Sequence, residues 1–196
     1  MRFFGIIAVI AMFLAPAGAN AQGWFEYVNR DEQFSVNFPM QPEVSDFSFL
    51  SATGWSVPGR LFETHEGASR YTVTVVNYSG SAPEDIEAAI QHAADSYRNS
   101  GGDVTYDNEG GVDGIDGHMV QLTNEDESRS FVQIAFHLNR LYIVDATVPA
   151  GSIVPGHFQQ SLVMLDEQGR RVRYQRDDNG KRFRVIPGAG RTPFVE

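Results

Sequence analysis

The stretch from Gly117 to Val148 constrains this chain more than any other. Three runs rich in apolar and β-branched residues, Gly117 to Thr123, Arg129 to Leu138 and Leu141 to Val148, follow one another with only short polar joints, the pattern of an antiparallel meander. Polar residues Asn124 to Ser128 join the first pair. Asn139-Arg140 joins the second in a tight turn that Asn supports at positive φ. Pairing Leu122 with Ser130 and Leu138 with Leu141 assigns every side chain to a face, because direction alternates along a strand. That register sets Phe136 beside Ile143 and Ala135 beside Val144. One face then carries Val120, Leu122, Val132, Ile134, Phe136, Leu141 and Ile143. The other carries Phe131, Ala135, Tyr142, Val144, Ala146 and Val148. Two apolar faces need two covers. The expected fold class is therefore α+β, an antiparallel β-sheet covered by helices on both faces, an αβα sandwich.

The first cover is read at Ser81 to Asn99. Ile86, Ala89, Ile90, Ala93 and Tyr97 form one apolar stripe at helical spacing. Ser81 and Glu84 fit a capping box, Pro83 suits the first turn, and Gly101-Gly102 suits the end. The second cover is read at Pro155 to Leu165, where Phe158, Leu162 and Leu165 share a side. Further strands are expected at Trp24 to Val28, Phe34 to Phe38, Val44 to Leu50, Arg60 to Thr64 and Arg70 to Tyr78. Arg171 to Arg176 and Lys181 to Ile186 flank Asp177-Asp178-Asn179-Gly180, a hairpin signal. Pro187 to Glu196 reads as a frayed end.

The chain opens with Arg2, an uncharged apolar run from Phe3 to Ala15, and small residues at Ala19 and Ala21. These are the parts of a cleavable export signal. The run is shorter than the roughly 20 residues of a spanning helix. Cleavage after Ala21 and a periplasmic or secreted destination are expected, with no transmembrane segment in the mature chain. Cysteine is absent, so the exported domain is held by its core and not by disulfides. The expected organisation is a signal peptide at 1–21, an α+β domain at 22–165, and a basic hairpin and tail at 166–196.

Charge is split along the chain. From Gln22 to Gly169 there are 22 acidic residues against 6 arginines; from Arg170 to Glu196 there are 8 basic residues against 3 acidic. The acidic body repels nucleic acid. The basic residues Arg170, Arg171, Arg173, Arg176, Lys181, Arg182 and Arg184 are candidates for binding a partner. Their counterpart is an anionic membrane, another protein or the acidic body itself; a solvated hairpin without a partner is the plainer alternative.

No catalytic signature is present. G-x-S-x-G is missing, the single lysine is not in S-x-x-K, and neither H-E-x-x-H nor a phosphate loop occurs. Thiol, iron–sulfur and thiolate–zinc chemistry are excluded by composition, and no cofactor is implied. Of the histidines at 65, 92, 118, 137 and 157, His118 and His137 fall on opposite sheet faces and cannot share a metal. His118 lies in a row with Ile134 and Asp145 in this register, its backbone about 9–10 Å from that of Asp145. His118 and Asp145 are the catalytic candidates. Asp145 is out of place on an apolar face, which suits either a buried carboxylate of raised pKa or a slip in the assigned register. Asp103, Asp107, Glu109, Asp113 and Asp116 offer oxygen ligands for calcium, but their spacing does not match a calcium loop. Glycines at 110, 111, 114 and 117 make the same stretch read as turns between strands.

FSVNFPMQP (Phe34 to Pro42), RYTVTVV (Arg70 to Val76), the helix Ala82 to Arg98, the meander and the F-x-x-S-L of Phe158 to Leu162 occur in an order that resembles the PsbP-like domain family, over Trp24 to Leu165. The resemblance implies an αβα sandwich with an antiparallel sheet. It also implies an exported accessory or chaperone-like binding protein, a family in which enzymatic activity is not the hallmark. No metal ligands carry over position by position, and the basic hairpin lies outside the pattern. The function expected is a non-enzymatic accessory domain acting through an envelope or periplasmic protein. The alternatives are a periplasmic small-molecule or calcium-binding protein, or a hydrolase with an unrecognised site at His118 and Asp145.

Overall fold

The computed structural model describes residues 23–185. The proposed export signal and the last residues of the chain lie outside them. In chain order the strands are β1 (Phe25–Asn29), β2 (Phe34–Phe38), β3 (Glu43–Leu50), β4 (Ser56–Glu66) and β5 (Ser69–Asn77). Helix α1 (Pro83–Arg98) follows, then β6 (Asp103–Glu109), β7 (Gly117–Thr123), β8 (Arg129–His137) and β9 (Arg140–Val148). A short helix α2 (Gly156–Gln159) precedes β10 (Val163–Met164), β11 (Tyr174–Arg176) and β12 (Arg182–Arg184).

Seven strands form one sheet in the order β3-β4-β5-β9-β8-β7-β6, every neighbouring pair antiparallel. The meander β7-β8-β9 lies inside it, between β5 and β6, and both of its faces are buried. On one face Ala89, Ala93 and Ala94 of α1 lie over Val120, Leu122, Val132, Ile134, Leu141 and Ile143. Small residues on the helix let its backbone approach the β-branched sheet closely.

The opposite face corrects the expected architecture. It is covered by a second antiparallel sheet, β1-β2-β10, with one turn of α2 at its side. Phe34, Val36, Phe38, Phe158, Leu162 and Met164 pack there against Phe62, Tyr71, Val73, Tyr142 and Val144. Strand makes up 50% of the structure and helix 12%, so this is a β-rich fold and not an αβα sandwich with helices on both faces. The reason lies in β2. Its free edge needs partners for its backbone groups, and the chain after Gln159 supplies them: Val163 and Met164 pair with Ser35 and Phe34, and the Leu165 N–H donates to the Gln33 carbonyl at 2.8 Å. A helix continued to Leu165 would leave that edge bare. Ser161 Oγ marks the change of structure, donating to the Phe158 carbonyl at 2.7 Å and accepting from the Asn37 N–H at 2.8 Å.

Two local expectations also shift. The β8–β9 turn is Leu138-Asn139, both at positive φ (47° and 59°), as a two-residue type I′ turn requires. The turn sits one residue earlier than Asn139-Arg140, so the register moves by two: Phe136 pairs with Leu141, Ala135 with Tyr142, and Val132 with Asp145. A slip of two leaves every side chain on its assigned face. At α1 the capping box is not made. Ala82 is the N-cap, without a side-chain cap bond, and Pro83 opens the helix. The acidic residue of that turn that is used is Asp85, which accepts from the Thr53 N–H at 3.1 Å and from Thr53 Oγ1 at 2.9 Å. It thereby ties the β3–β4 hairpin to the helix start.

Residues 166–185 pack on the same body. Val172 joins the core beneath the second sheet, Phe183 is buried, and the Val172 N–H donates to the Met164 carbonyl at 2.8 Å.

Candidate functional site

The catalytic candidates His118 and Asp145 do not meet as a pair. His118, on β7, faces Glu109 on one side and Ile134 on the other, and its ring engages a different carboxylate. Its Nε2 lies 2.5 Å from Asp107 Oδ1 and 2.9 Å from Arg98 Nη2. Arg98, in the last turn of α1, donates from Nε to Asp107 Oδ2 at 2.6 Å and from Nη2 to Oδ1 at 2.8 Å. This two-pronged contact is the strong form of ion pair. The Arg98 guanidinium, and after it His118, hold the Asp107 carboxyl well below the usual carboxylate range. Arg98 also reaches Asp95 at 2.6 Å. The cluster fastens the helix end to β6.

Asp145 has a different setting. Alternation along β9 aims Ile143, Asp145 and Thr147 toward α1, but the helix ends at Arg98, so only its last turn reaches this part of the sheet. Asp145 is 7% exposed. Its carboxylate has two long hydrogen bonds, from Tyr97 Oη to Oδ2 at 3.4 Å and from Thr147 Oγ1 to Oδ1 at 3.4 Å. Burial pushes its pKa up to about 6, against the opposing pull of Arg70, Thr147 and Tyr97. Arg70 is itself held by Glu63 at 2.7 Å. Asp145 lines a cleft of about 450 Å³. A polar chain runs outward from it: Thr147 Oγ1 to Ser130 Oγ at 2.8 Å, then Asn124 Nδ2 to Ser130 Oγ at 3.0 Å and to Ser128 Oγ at 2.9 Å. A perturbed carboxylate in a polar cleft is a recognised mark of a functional position. A larger cavity, about 790 Å³ between α1, the glycine-rich loop 110–117 and β11, lies elsewhere, and its lining residues Glu87, Glu109, Asp116 and Arg176 are exposed.

The basic segment meets the acidic body. Arg171 donates to Asp113 at 2.7 and 2.8 Å, and Arg173 donates to the same carboxylate at 3.0 Å. Arg176 and Arg182 lie 3.5 and 3.7 Å from Asp116. Arg170 and Arg184 converge on Asp166 at 2.9 and 2.5 Å. Burial alone would raise Asp166, but the Arg170 N–H and the two guanidiniums hold it well below the usual range. Arg182 also stacks on Tyr174, 4.6 Å from its ring centre. Lys181 alone of the seven basic candidates forms no side-chain ion pair among the described residues. Gly114 permits the docking: at φ +78° a Cβ there would fall 2.3 Å from the Tyr174 carbonyl oxygen. Of the calcium candidates, Asp113 and Asp116 therefore face arginines, while Asp103, Asp107 and Glu109 lie along β6. Among the described residues no three His, Cys, Asp or Glu side chains converge as metal ligands.

Sequence reasoning missed the open edge of the large sheet. β3 is terminal in the strand order, pairs with β4 through eight residues without a bulge, and has seven of its eight residues exposed. Leu50 is 62% exposed, and Trp55, in the turn that follows, 71%; Val44 and Phe47 are exposed beside them. The turn is rigidly held. Besides the Asp85–Thr53 bonds, Trp55 N–H donates to Ser51 Oγ at 3.1 Å, and His92 Nε2 lies 2.8 Å from the Leu50 carbonyl oxygen. A cavity of about 440 Å³ opens beside Trp55. A tryptophan between Gly54 and Ser56, where a turn normally carries polar residues, was the available sequence signal.

No helix among the described residues is long and apolar enough to cross a membrane. The chain matches no protein-family model and no curated protein. Among solved structures it is similar to cyanobacterial PsbP (CyanoP) from Synechocystis sp. PCC 6803, at 11% identity and a TM-score of 0.46, over 76% of this chain and 97% of that one.

Proposed function

We propose that this chain is an exported, non-enzymatic accessory domain that binds a partner protein along the β3 edge, with Trp55 as its anchor. The observation that carries this reading is the eight-residue edge, unbulged and unpaired among the described residues and continuous with exposed Leu50 and Trp55. Such an edge offers backbone groups for an added strand, and an exposed aromatic beside a cavity is the kind of residue on which binding energy concentrates. The bonds that fix the turn reduce the ordering cost of association. An exposed apolar edge without a partner is an aggregation hazard, which favours a habitual occupant. A net charge of −10 disfavours a second copy of the chain in that place. The basic tail, the surface first suggested by charge, is a weaker candidate because six of its seven basic residues already pair with Asp113, Asp116 and Asp166.

The test is affinity capture from envelope extract with the wild-type protein, a Leu50→Ser/Trp55→Ala variant and a Tyr106→Ala control on β6. The expected result is one protein retained by wild type and control and bound at least tenfold more weakly by the double variant. Equal capture by all three, or a wild-type protein that is a dimer through this edge, contradicts the reading.

A further inference from the structure

We infer that the cleft at the end of α1 is a binding site for a small organic cation, whose ammonium group sits on the Asp145 carboxylate. This site is separate from the β3 edge, and its success or failure leaves the docking proposal untouched.

Asp145 is nine-tenths buried, yet among the described residues neither carboxylate oxygen has a donor closer than 3.4 Å. Buried carboxylates ordinarily take short, strong hydrogen bonds. Two long bonds leave both oxygens able to accept more, and Asp145 lines the cleft. The remaining lining is rich in groups that can accept: Tyr97, Ser100, Ser130 and Thr147 contribute hydroxyl side chains, and Glu125 and Asp126 carboxylates. An ammonium group brings three donors and no acceptor, which complements that set.

The field has the matching sign. Asp145, Glu125 and Asp126 outnumber Arg70, and Arg70 is already paired with Glu63 at 2.7 Å. The carbonyl end of the 16-residue helix α1 points to the same place, and that end favours positive charge. A metal ion fits less well, since no set of three His, Cys, Asp or Glu ligands converges among the described residues. The volume of about 450 Å³ falls within the range of small-molecule sites. The groups facing Asp145 are Tyr97 from α1, Arg70 from β5 and Thr147 on its own strand. Arg70 is the only cation among them. A bound ammonium would displace the proton that burial keeps on Asp145 in mildly acidic solution, so binding should strengthen as pH rises from 5 to 7.

Three linear probes of equal length separate the chemistry: 1,4-diaminobutane, 1,4-butanediol and succinate, titrated into the ¹⁵N-labelled full chain. The expected result is a saturable shift of the Tyr97, Ser130, Asp145 and Thr147 amides with the diamine, at least tenfold weaker with the diol and absent with succinate. In Asp145→Asn, which keeps the shape of the side chain, the diamine shift should fall at least tenfold while the spectrum stays folded. Thr147→Val supplies a second variant that leaves the carboxylate in place and should weaken the diamine severalfold. No saturable shift with the diamine, equal shifts with succinate, or unchanged diamine binding in Asp145→Asn overturns the inference.

Discussion

The two edges of the seven-stranded sheet are built differently, and the difference locates the proposed docking surface. At β6 the edge is defended. Its register breaks between Val104 and Tyr106, a bulge of the kind that turns an edge away from pairing. Asp103, Asp107 and Glu109 line it, and Asp107 is tied by Arg98 and His118. At β3 the ladder is regular through Glu43 to Leu50, one of its two acids, Asp46, is neutralised by Arg60 at 2.9 Å, and apolar side chains stand exposed. One sheet thus has one edge closed to pairing and one left open. Chance exposure would not require that the open edge also carry a turn fixed by Asp85, Ser51 and His92.

Transplanting the devices of β6 onto β3 should break the contrast. Phe47→Lys with Leu50→Glu is expected to weaken partner binding about a hundredfold, measured by titration calorimetry with the captured protein. Stability should change by less than about 1 kcal/mol, because exposed positions contribute little. The reverse experiment is Asp107→Ala at β6. It leaves Arg98 and buried His118 without their shared acceptor and should cost about 2 kcal/mol in denaturant unfolding, with partner binding unchanged. A loss of partner binding in Asp107→Ala would show that the edges are not independent.

The two faces differ as well, and pH separates them. Under the helix, burial raises Asp145 from 3.8 to about 6. The folded chain therefore holds that proton more tightly than the unfolded chain, and the favourable contribution is full below pH 4 and lost as pH rises through 6. Asp145→Asn should stabilise the protein by about 3 kcal/mol at pH 7 and by little at pH 4. Under the second sheet, burial and then Arg182 and Arg184 lower His137 from 6.5 to about 4. Its contribution is full above pH 6.5 and is lost as pH falls through 4, so His137→Gln should flatten the acid side of the stability profile. Thermal melts from pH 4 to 8 check both. The smallest effect expected is at the tail: Asp113→Asn should cost about 1 kcal/mol at low salt and much less at 1 M salt, because Arg171 and Arg173 are half exposed.

The meander's faces were legible because alternation fixes side-chain direction, and a register slip of two residues does not disturb it. Asp145 was legible as an anomaly for the same reason: a carboxylate in an apolar row stands out whatever its partner. The second cover was not legible. Phe158, Leu162 and Leu165 fit a helix by spacing, and what selects a strand at Val163 is the unpaired edge of β2, more than a hundred residues earlier. β6 was missed because DVTYDNE lacks apolar alternation, and its bulge interrupts what alternation there is. The pairing of the basic tail with Asp113, Asp116 and Asp166 was foreseeable as one of three options, but the choice among them depends on Gly114 admitting Tyr174, a contact in space. His118 was named without its true partners, Asp107 and Arg98, because their meeting depends on where α1 ends beside β6.

Site-specific photocrosslinking in living cells tests the central claim most directly. A photoreactive residue is placed in turn at Leu50 and Trp55 on the open edge and at Val104 and Tyr106 on the closed one. The account predicts a single heavier adduct from positions 50 and 55 and none from 104 and 106. Adducts of equal yield from both edges, or from β6 alone, would contradict it.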